Sequence, residues 1–194
     1  MIEPRPRCSW ASADGPLADP LMVAYHDDEW GVPTHDDTEL FERLALESFQ
    51  AGLSWSTILR KRGAFRQAFR SFDPRVVAGF DGADRDRLMA DAGIVRNGAK
   101  IDATIGNAVA LLRVADEFGS FDRYLLDRVP PPPARLPRGA RIGRIPSTTP
   151  VSDALSVDLK RRGFRFVGST IVYAFMQSVG LVDDHLPGCY RYQG

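Results

Sequence analysis

Leu88-Met-Ala-Asp-Ala-Gly93-Ile-Val-Arg-Asn-Gly98-Ala-Lys100 reads as the end of one helix, a turn bounded by two glycines, and the start of a second helix. The first turn of a helix leaves backbone N–H groups without intrahelical acceptors, and such groups point at an anion. Here Gly93, Val95 and Gly98 shape the turn, and Lys100 adds a point charge beside it. A corner of this kind holds a DNA phosphate without reading base sequence. A nucleotide P-loop shares the Gly93–Gly98 spacing, but Ala99 intervenes before Lys100 and no strand precedes Gly93. A plain helix–turn–helix corner is the third reading.

Helical patterning continues on both sides. Thr38 to Ala51 carries Leu40, Phe41, Leu44 and Phe49 at helical spacing, with Asp36 and Asp37 at its start and Gly52 at its end. A short helix is expected from Ser54 to about Arg62, stopped by Gly63. Asp73-Pro74 opens another. The two arms of the hairpin are expected over Asp84 to Ala92 and about Asn97 to Phe118. Pro130 to Pro150 reads as a long loop, Ser152 as the cap of a helix ending at Arg162, and Gly168 to Val179 as a buried helix. The stretch through Pro20 reads as loop, and no convincing alternating strand or repeat is present. The fold class is all-α.

At 194 residues and 44% hydrophobic, the chain makes one large domain or two small ones. No long apolar run crosses a membrane, and Met1 to Arg7 lacks the apolar stretch of a signal peptide. A cytoplasmic location with reduced thiols is expected. Lys plus Arg and Asp plus Glu are 25 each, so net charge names no partner. Local charge is less even. Arg60-Lys61-Arg62 with Arg66 and Arg70, Lys160-Arg161-Arg162 with Arg165, and Arg135, Arg138, Arg141 and Arg144 are basic clusters, each either a face for phosphate or ordinary solvated surface.

Three groups of residues invite chemistry. The chain has two cysteines and three histidines, and they include Cys8, His26 and the close pair His185-Leu-Pro-Gly-Cys189. Two thiolates and two imidazoles are a tetrahedral Zn²⁺ set, although the Cys8/His26 pair fits no standard motif and free thiols with surface histidines are the plainer reading. Glu47 lies seven residues after Leu40 and three after Leu44, on the apolar stripe. A carboxylate there needs an arginine partner or lines a pocket. Tyr25, Trp10, Trp30 and Trp55 supply aromatic walls, either for the core or for a flat cation.

The segments Tyr25-His-Asp-Asp-Glu-Trp-Gly-Val-Pro33, Gln50-Ala-Gly-Leu-Ser-Trp55, Asp91-Ala-Gly-Ile-Val-Arg96, Arg162-Gly-Phe-Arg-Phe-Val-Gly168 and Gly180-Leu-Val-Asp-Asp-His185 together resemble the 3-methyladenine DNA glycosylase I family, in the same order from Cys8 to Cys189. The resemblance implies a helix-hairpin-helix DNA glycosylase fold that excises 3-methyladenine from alkylated double-stranded DNA without nicking the strand. It also implies one structural zinc on Cys8, His26, His185 and Cys189. It maps the base pocket onto catalytic Glu47 with Tyr25 and Trp55, and with Trp10 and Trp30 nearby. It maps a DNA-inserting turn onto Gln50, Gly52 and Leu53, where Leu53 wedges and Gln50 helps fill the gap. The phosphate-binding hairpin spans Ala92 to Gly98, with Lys100 beyond it. A monomer is expected, as a single compact unit with segments of about 1–37 and 150–194 in one lobe and about 38–128 in the other. Three departures stand out: the Cys8–His26 interval is long, Met22 replaces a frequent pocket tyrosine, and neither Asp116 nor Glu117 inherits a role. A zinc-stabilised DNA-binding module without catalysis is the alternative, and burial of Glu47 speaks against it. A catalytic zinc near His26, Asp27, Asp28 and Glu29 would need an open coordination position.

Overall fold

Helix α2, Asp37–Gln50, has buried residues on every side, from Leu40 to Phe49. A computed structural model shows why: helices from later in the chain pack against several sides of it. It describes residues 5–11, 19–131, 133–135 and 145–193. Arg138, Arg141, Arg144 and most of the long insert before Pro20 lie outside the described residues.

Nine α-helices occur among the described residues: α1 Pro20–Asp28, α2, α3 Trp55–Ala68, α4 Pro74–Val77, α5 Gly82–Ala90, α6 Gly98–Phe118, α7 Phe121–Arg128, α8 Pro150–Arg161 and α9 Ser169–Ser178. Two-residue strands β1, Ala134–Arg135, and β2, Val182–Asp183, pair in parallel. The helices α3, α6, α7 and α9 all pack on α2. One cluster of buried apolar side chains runs from Leu40 to Val182 and includes eight phenylalanines: Phe41, Phe49, Phe65, Phe69, Phe72, Phe121, Phe164 and Phe175. A second, smaller cluster gathers Cys8, Tyr25, Trp30, Leu59, Leu186 and Cys189. No helix among the described residues is long and apolar enough to cross a membrane.

Several boundaries differ from the sequence reading. Helix α3 does not stop at Arg62 but continues through Gly63, because Phe65 and Ala68 are buried in line with Ile58 and Leu59. Packing of that face outweighs the roughly 1 kcal/mol cost of a mid-helix glycine. Helix α8 is capped by Thr149 rather than Ser152, which sits at the third helical position and returns a hydrogen bond in a capping box. Helices α1 and α7 were not expected. Both are short, and their starts rest on single caps, Asp19 and Ser120. The left-handed Gly180 is forced by packing, since a Cβ there would lie 2.6 Å from the backbone nitrogen of Pro33.

Candidate active site and metal centre

A cavity of about 300 Å³ opens between α1, α2, α3 and α9, lined by Trp10, Met22, Tyr25, Trp30, Glu47, Gln50, Trp55, Ile145, Ala174 and Gln177. All five pocket residues expected from the sequence, Glu47, Tyr25, Trp55, Trp10 and Trp30, meet there. The rings of Tyr25 and Trp55 touch at 5.2 Å with a 52° tilt, so they form adjoining walls rather than opposite faces of a slot. Trp10 meets Trp30 edge-on at 5.0 Å. Met22 lines the cavity too, at the position where the resemblance implies a frequent tyrosine. Ile145, Ala174 and Gln177 come from two further segments that the sequence did not single out, and only the fold brings them to the cavity.

Glu47 is 5% exposed and makes no ion pair or hydrogen bond among the described residues. Arg43, one turn earlier, directs its Nη2 to Glu29 and Glu39, while its buried Nε and Nη1 make no hydrogen bond, to Glu47 or to any other group. The alternative of a buried salt bridge is therefore not realised. Burial pushes the Glu47 carboxyl up to about 8, with Arg43 pulling weakly the other way. Trp55, on the same lining, has a buried indole nitrogen that also finds no partner. Polar groups left unpaired among cavity-lining residues are what a bound heteroaromatic ring can satisfy.

Beyond Glu47, α2 ends in a tight turn. Ala51 (φ −48°, ψ 113°) and Gly52 (φ 86°) give type II geometry, closed by Leu53 N–H on the Gln50 carbonyl at 2.6 Å. Gly52 is required there by its left-handed backbone. Leu53 stands at the tip, 41% exposed, while Gln50 reaches into the cavity.

The hairpin between α5 and α6 is held from behind. Lys61 of α3 donates to the carbonyls of Ala92 at 3.2 Å and Gly93 at 3.0 Å. Gly93 packs so closely that a Cβ would lie 2.9 Å from the Ala64 Cβ. Val95 is half-buried and Gly98 opens α6. The N–H of Lys100 is capped by Asn97, which leaves those of Gly98 and Ala99 free of intrahelical acceptors. The Lys100 side chain itself corrects the sequence reading. It is 7% exposed and turns inward, its Nζ donating to the carbonyls of Phe49 and Ala51 at 3.0 Å each. Two of its three N–H donors are thereby taken by backbone carbonyls rather than turned to the hairpin face.

The basic clusters are largely neutralised within the chain. Arg60 pairs with Asp19, Arg62 with Glu29 and Glu42, Arg66 with Glu42, Arg161 with Asp158, and Arg162 with Glu117 and Asp158. Glu117 is thus an ion-pair partner away from the cavity.

Behind the aromatic wall, Cys8, His26, His185 and Cys189 are all buried, and their donor atoms lie within 4.8 Å of one another. Cys189 Sγ is 3.3 Å from His26 Nε2, and His185 Nδ1 is 3.7 Å from both sulfurs. Donors placed about 2.0–2.3 Å from a tetrahedral Zn²⁺ are separated by about 3.3–3.8 Å. The free ring nitrogens are oriented: His26 Nδ1 lies 2.9 Å from Asp27 and His185 Nε2 lies 3.3 Å from the Trp30 carbonyl. The N–H groups of Leu186 and Arg191 donate to the sulfurs of Cys8 and Cys189. Burial lowers both imidazoles, His185 to about 4, and so keeps them neutral. Burial also pushes the Cys8 thiol up to about 12 in the absence of a counter-charge, so thiolates here call for a cation. The four residues fit a metal ion.

An unsatisfied carboxyl in an aromatic cavity, next to an apolar-tipped turn and a hairpin of free N–H groups, is the equipment of an enzyme that handles single DNA bases. The comparisons make this particular. The sequence profile of the methyladenine glycosylase family matches residues 15–192, and the chain belongs to that family. It is 48% identical over 188 residues to DNA-3-methyladenine glycosylase 1 of Escherichia coli K12, covering 97% of each chain. A crystal structure of a 3-methyladenine DNA glycosylase I superposes with a TM-score of 0.89 at 46% identity, covering 96% of this chain and 99% of that one. A Staphylococcus aureus 3-methyladenine DNA glycosylase I, solved for the basis of 3-methyladenine recognition, superposes at 0.84 with 40% identity, covering 89% and 91%.

Proposed function

We propose that this chain excises 3-methyladenine from alkylated double-stranded DNA by hydrolysing the N-glycosidic bond, as a monomer and without cutting the strand. The observation that carries the reading is Glu47, a buried carboxyl with no partner inside an aromatic cavity. Methylation at N3 makes adenine cationic and weakens its bond to the sugar, because the base leaves neutral. Little acid catalysis is then needed. The work is to extrude the nucleotide and hold the ring while the sugar develops positive charge.

Each residue has a part in this. Leu53 wedges into the stack and Gln50 helps fill the gap. Tyr25 and Trp55 offer π-faces that favour a cationic ring over neutral adenine. Glu47 accepts a hydrogen bond from the base edge, and the ring's charge favours its ionised form. Water then adds to the sugar carbon as the base departs. Lys100, the amine nearest the turn, is tied to two backbone carbonyls, which supports hydrolysis rather than attack by an amine. The hairpin's free N–H groups suit a phosphate of the flanking strand. One Zn²⁺ on Cys8, His26, His185 and Cys189 would be structural, since four protein donors leave no open position.

Chromatography of bases released from methylated duplex DNA tests this reading. Free 3-methyladenine should appear while strands remain intact until alkali treatment. Tight binding to methylated duplex with no released base would favour the non-catalytic module instead.

A further inference from the structure

Lys100 occupies the third position of α6, one turn beyond the hairpin, yet its ammonium ends on a different element. Its acceptors, the carbonyls of Phe49 and Ala51, flank Gln50 and form the negative end of the α2 dipole. Burial depresses the Lys100 ammonium, so this position is costly for a residue that could have lain on the surface. A second lysine completes a circuit, with Lys61 of α3 fastened to the Ala92 and Gly93 carbonyls of the hairpin. The chain from α2 through the Gln50–Leu53 turn to α3 is continuous. Turn, α3, hairpin and α6 are thus closed into one loop by two ammonium groups. Glu47 lies within a turn of Phe49 on α2, and Trp55 begins α3.

We infer that Lys100 is a positioning residue: it fixes the inserting turn and Glu47 relative to the hairpin, so that a DNA backbone seated on the hairpin sets where Leu53 enters and where the base is held. This rests on the proposed glycosylase reading. Misplacing reacting groups by about 1 Å can cost on the order of a hundredfold in rate, while a lysine that touches no phosphate leaves the salt dependence of binding alone.

Lys100→Met keeps the length and removes the charge. Its maximal single-turnover release of 3-methyladenine from methylated duplex should fall by about ten- to a hundredfold. The enzyme concentration for half-saturation, the salt slope of duplex binding and the affinity for free 3-methyladenine should all stay within about twofold. Lys100→Arg, which keeps the charge and the N–H donors, should recover most of the rate. Fluorescence of 2-aminopurine in the duplex reports unstacking by the turn independently of excision, and Lys100→Met should lose that signal. An unchanged maximal rate with unchanged unstacking overturns the inference. A flattened salt slope assigns Lys100 to phosphate and overturns it too, as does parallel loss of free-base binding, which marks general damage. If Lys100→Met does not fold, Lys61→Met should lose unstacking and maximal rate in the same pattern, and full retention of both by Lys61→Met overturns the circuit. Unstacking by wild type that is lost in Lys100→Met, with no base released by either, upholds the coupling and removes the glycosylase reading.

Discussion

Charging a carboxyl in an apolar interior costs several kcal/mol unless something compensates, and Glu47 has been left without that compensation. The consequence for stability has a definite sign. The folded chain holds the Glu47 proton up to about pH 8, whereas the unfolded chain releases it near the ordinary 4.5. Between those values the native state binds more protons, so this residue's contribution to stability falls as pH rises and levels above about 8. Glu47→Gln should therefore raise stability by on the order of 3 kcal/mol at pH 7, with the gain vanishing near pH 4.5. Thermal melts of both proteins across that range check it, and a gain that grows toward acid would contradict it. The same group governs capture of a cationic lesion. Below about pH 8, kcat/KM should drop roughly tenfold per pH unit, and Glu47→Gln should lose that limb. A wild-type profile flat from pH 6 to 8 would separate Glu47 from lesion capture. The pattern Leu40, Leu44, Glu47 was enough to place this carboxyl on a buried face. It could not say that Arg43 would turn its Nη2 to Glu29, because that partner comes from the segment before the helix.

The turn after α2 and the hairpin before α6 carry separable tasks. Leu53 is one of few large exposed apolar side chains, held out by a type II turn that Gly52 makes possible. Leu53→Gly should reduce single-turnover excision several-fold and leave free 3-methyladenine binding intact, since Leu53 does not line the cavity. Titration of Trp fluorescence with free base, alongside excision, tests the split; equal loss of both would place Leu53 in the pocket instead. Most of this was legible in sequence, because Gly52 marks a left-handed turn that few other residues allow, and Gly93 and Gly98 bound the hairpin. The direction of the Lys100 side chain was not. Helical position fixes where a Cα lies, but the carbonyls that draw in the ammonium lie about 50 residues earlier in the chain. The short helices α1 and α7 escaped for a similar reason: each has too few turns for a periodic pattern to stand out.

Across the whole molecule, the Cys/His cluster joins a segment beginning at Cys8 to one ending at Cys189 and backs the aromatic wall of the cavity. A metal bound there adds its binding free energy to folding. Cys189→Ser should lose the metal, measured as zinc per chain, and lower the melting temperature by several degrees; full metal content in that variant would remove Cys189 from the ligand set. Ala174 and Gln177, distant in sequence from Glu47, become pocket walls because α9 packs on α2. The most direct test of the central claim is single-turnover release of 3-methyladenine from methylated duplex DNA by wild type and folded Glu47→Gln. A partly desolvated hydrogen bond to a charge is worth roughly 1.5–3 kcal/mol, which corresponds to a loss of about ten- to over a hundredfold in rate. That loss, with zinc content and fold retained, is the predicted result, and equal rates for the two proteins would contradict it.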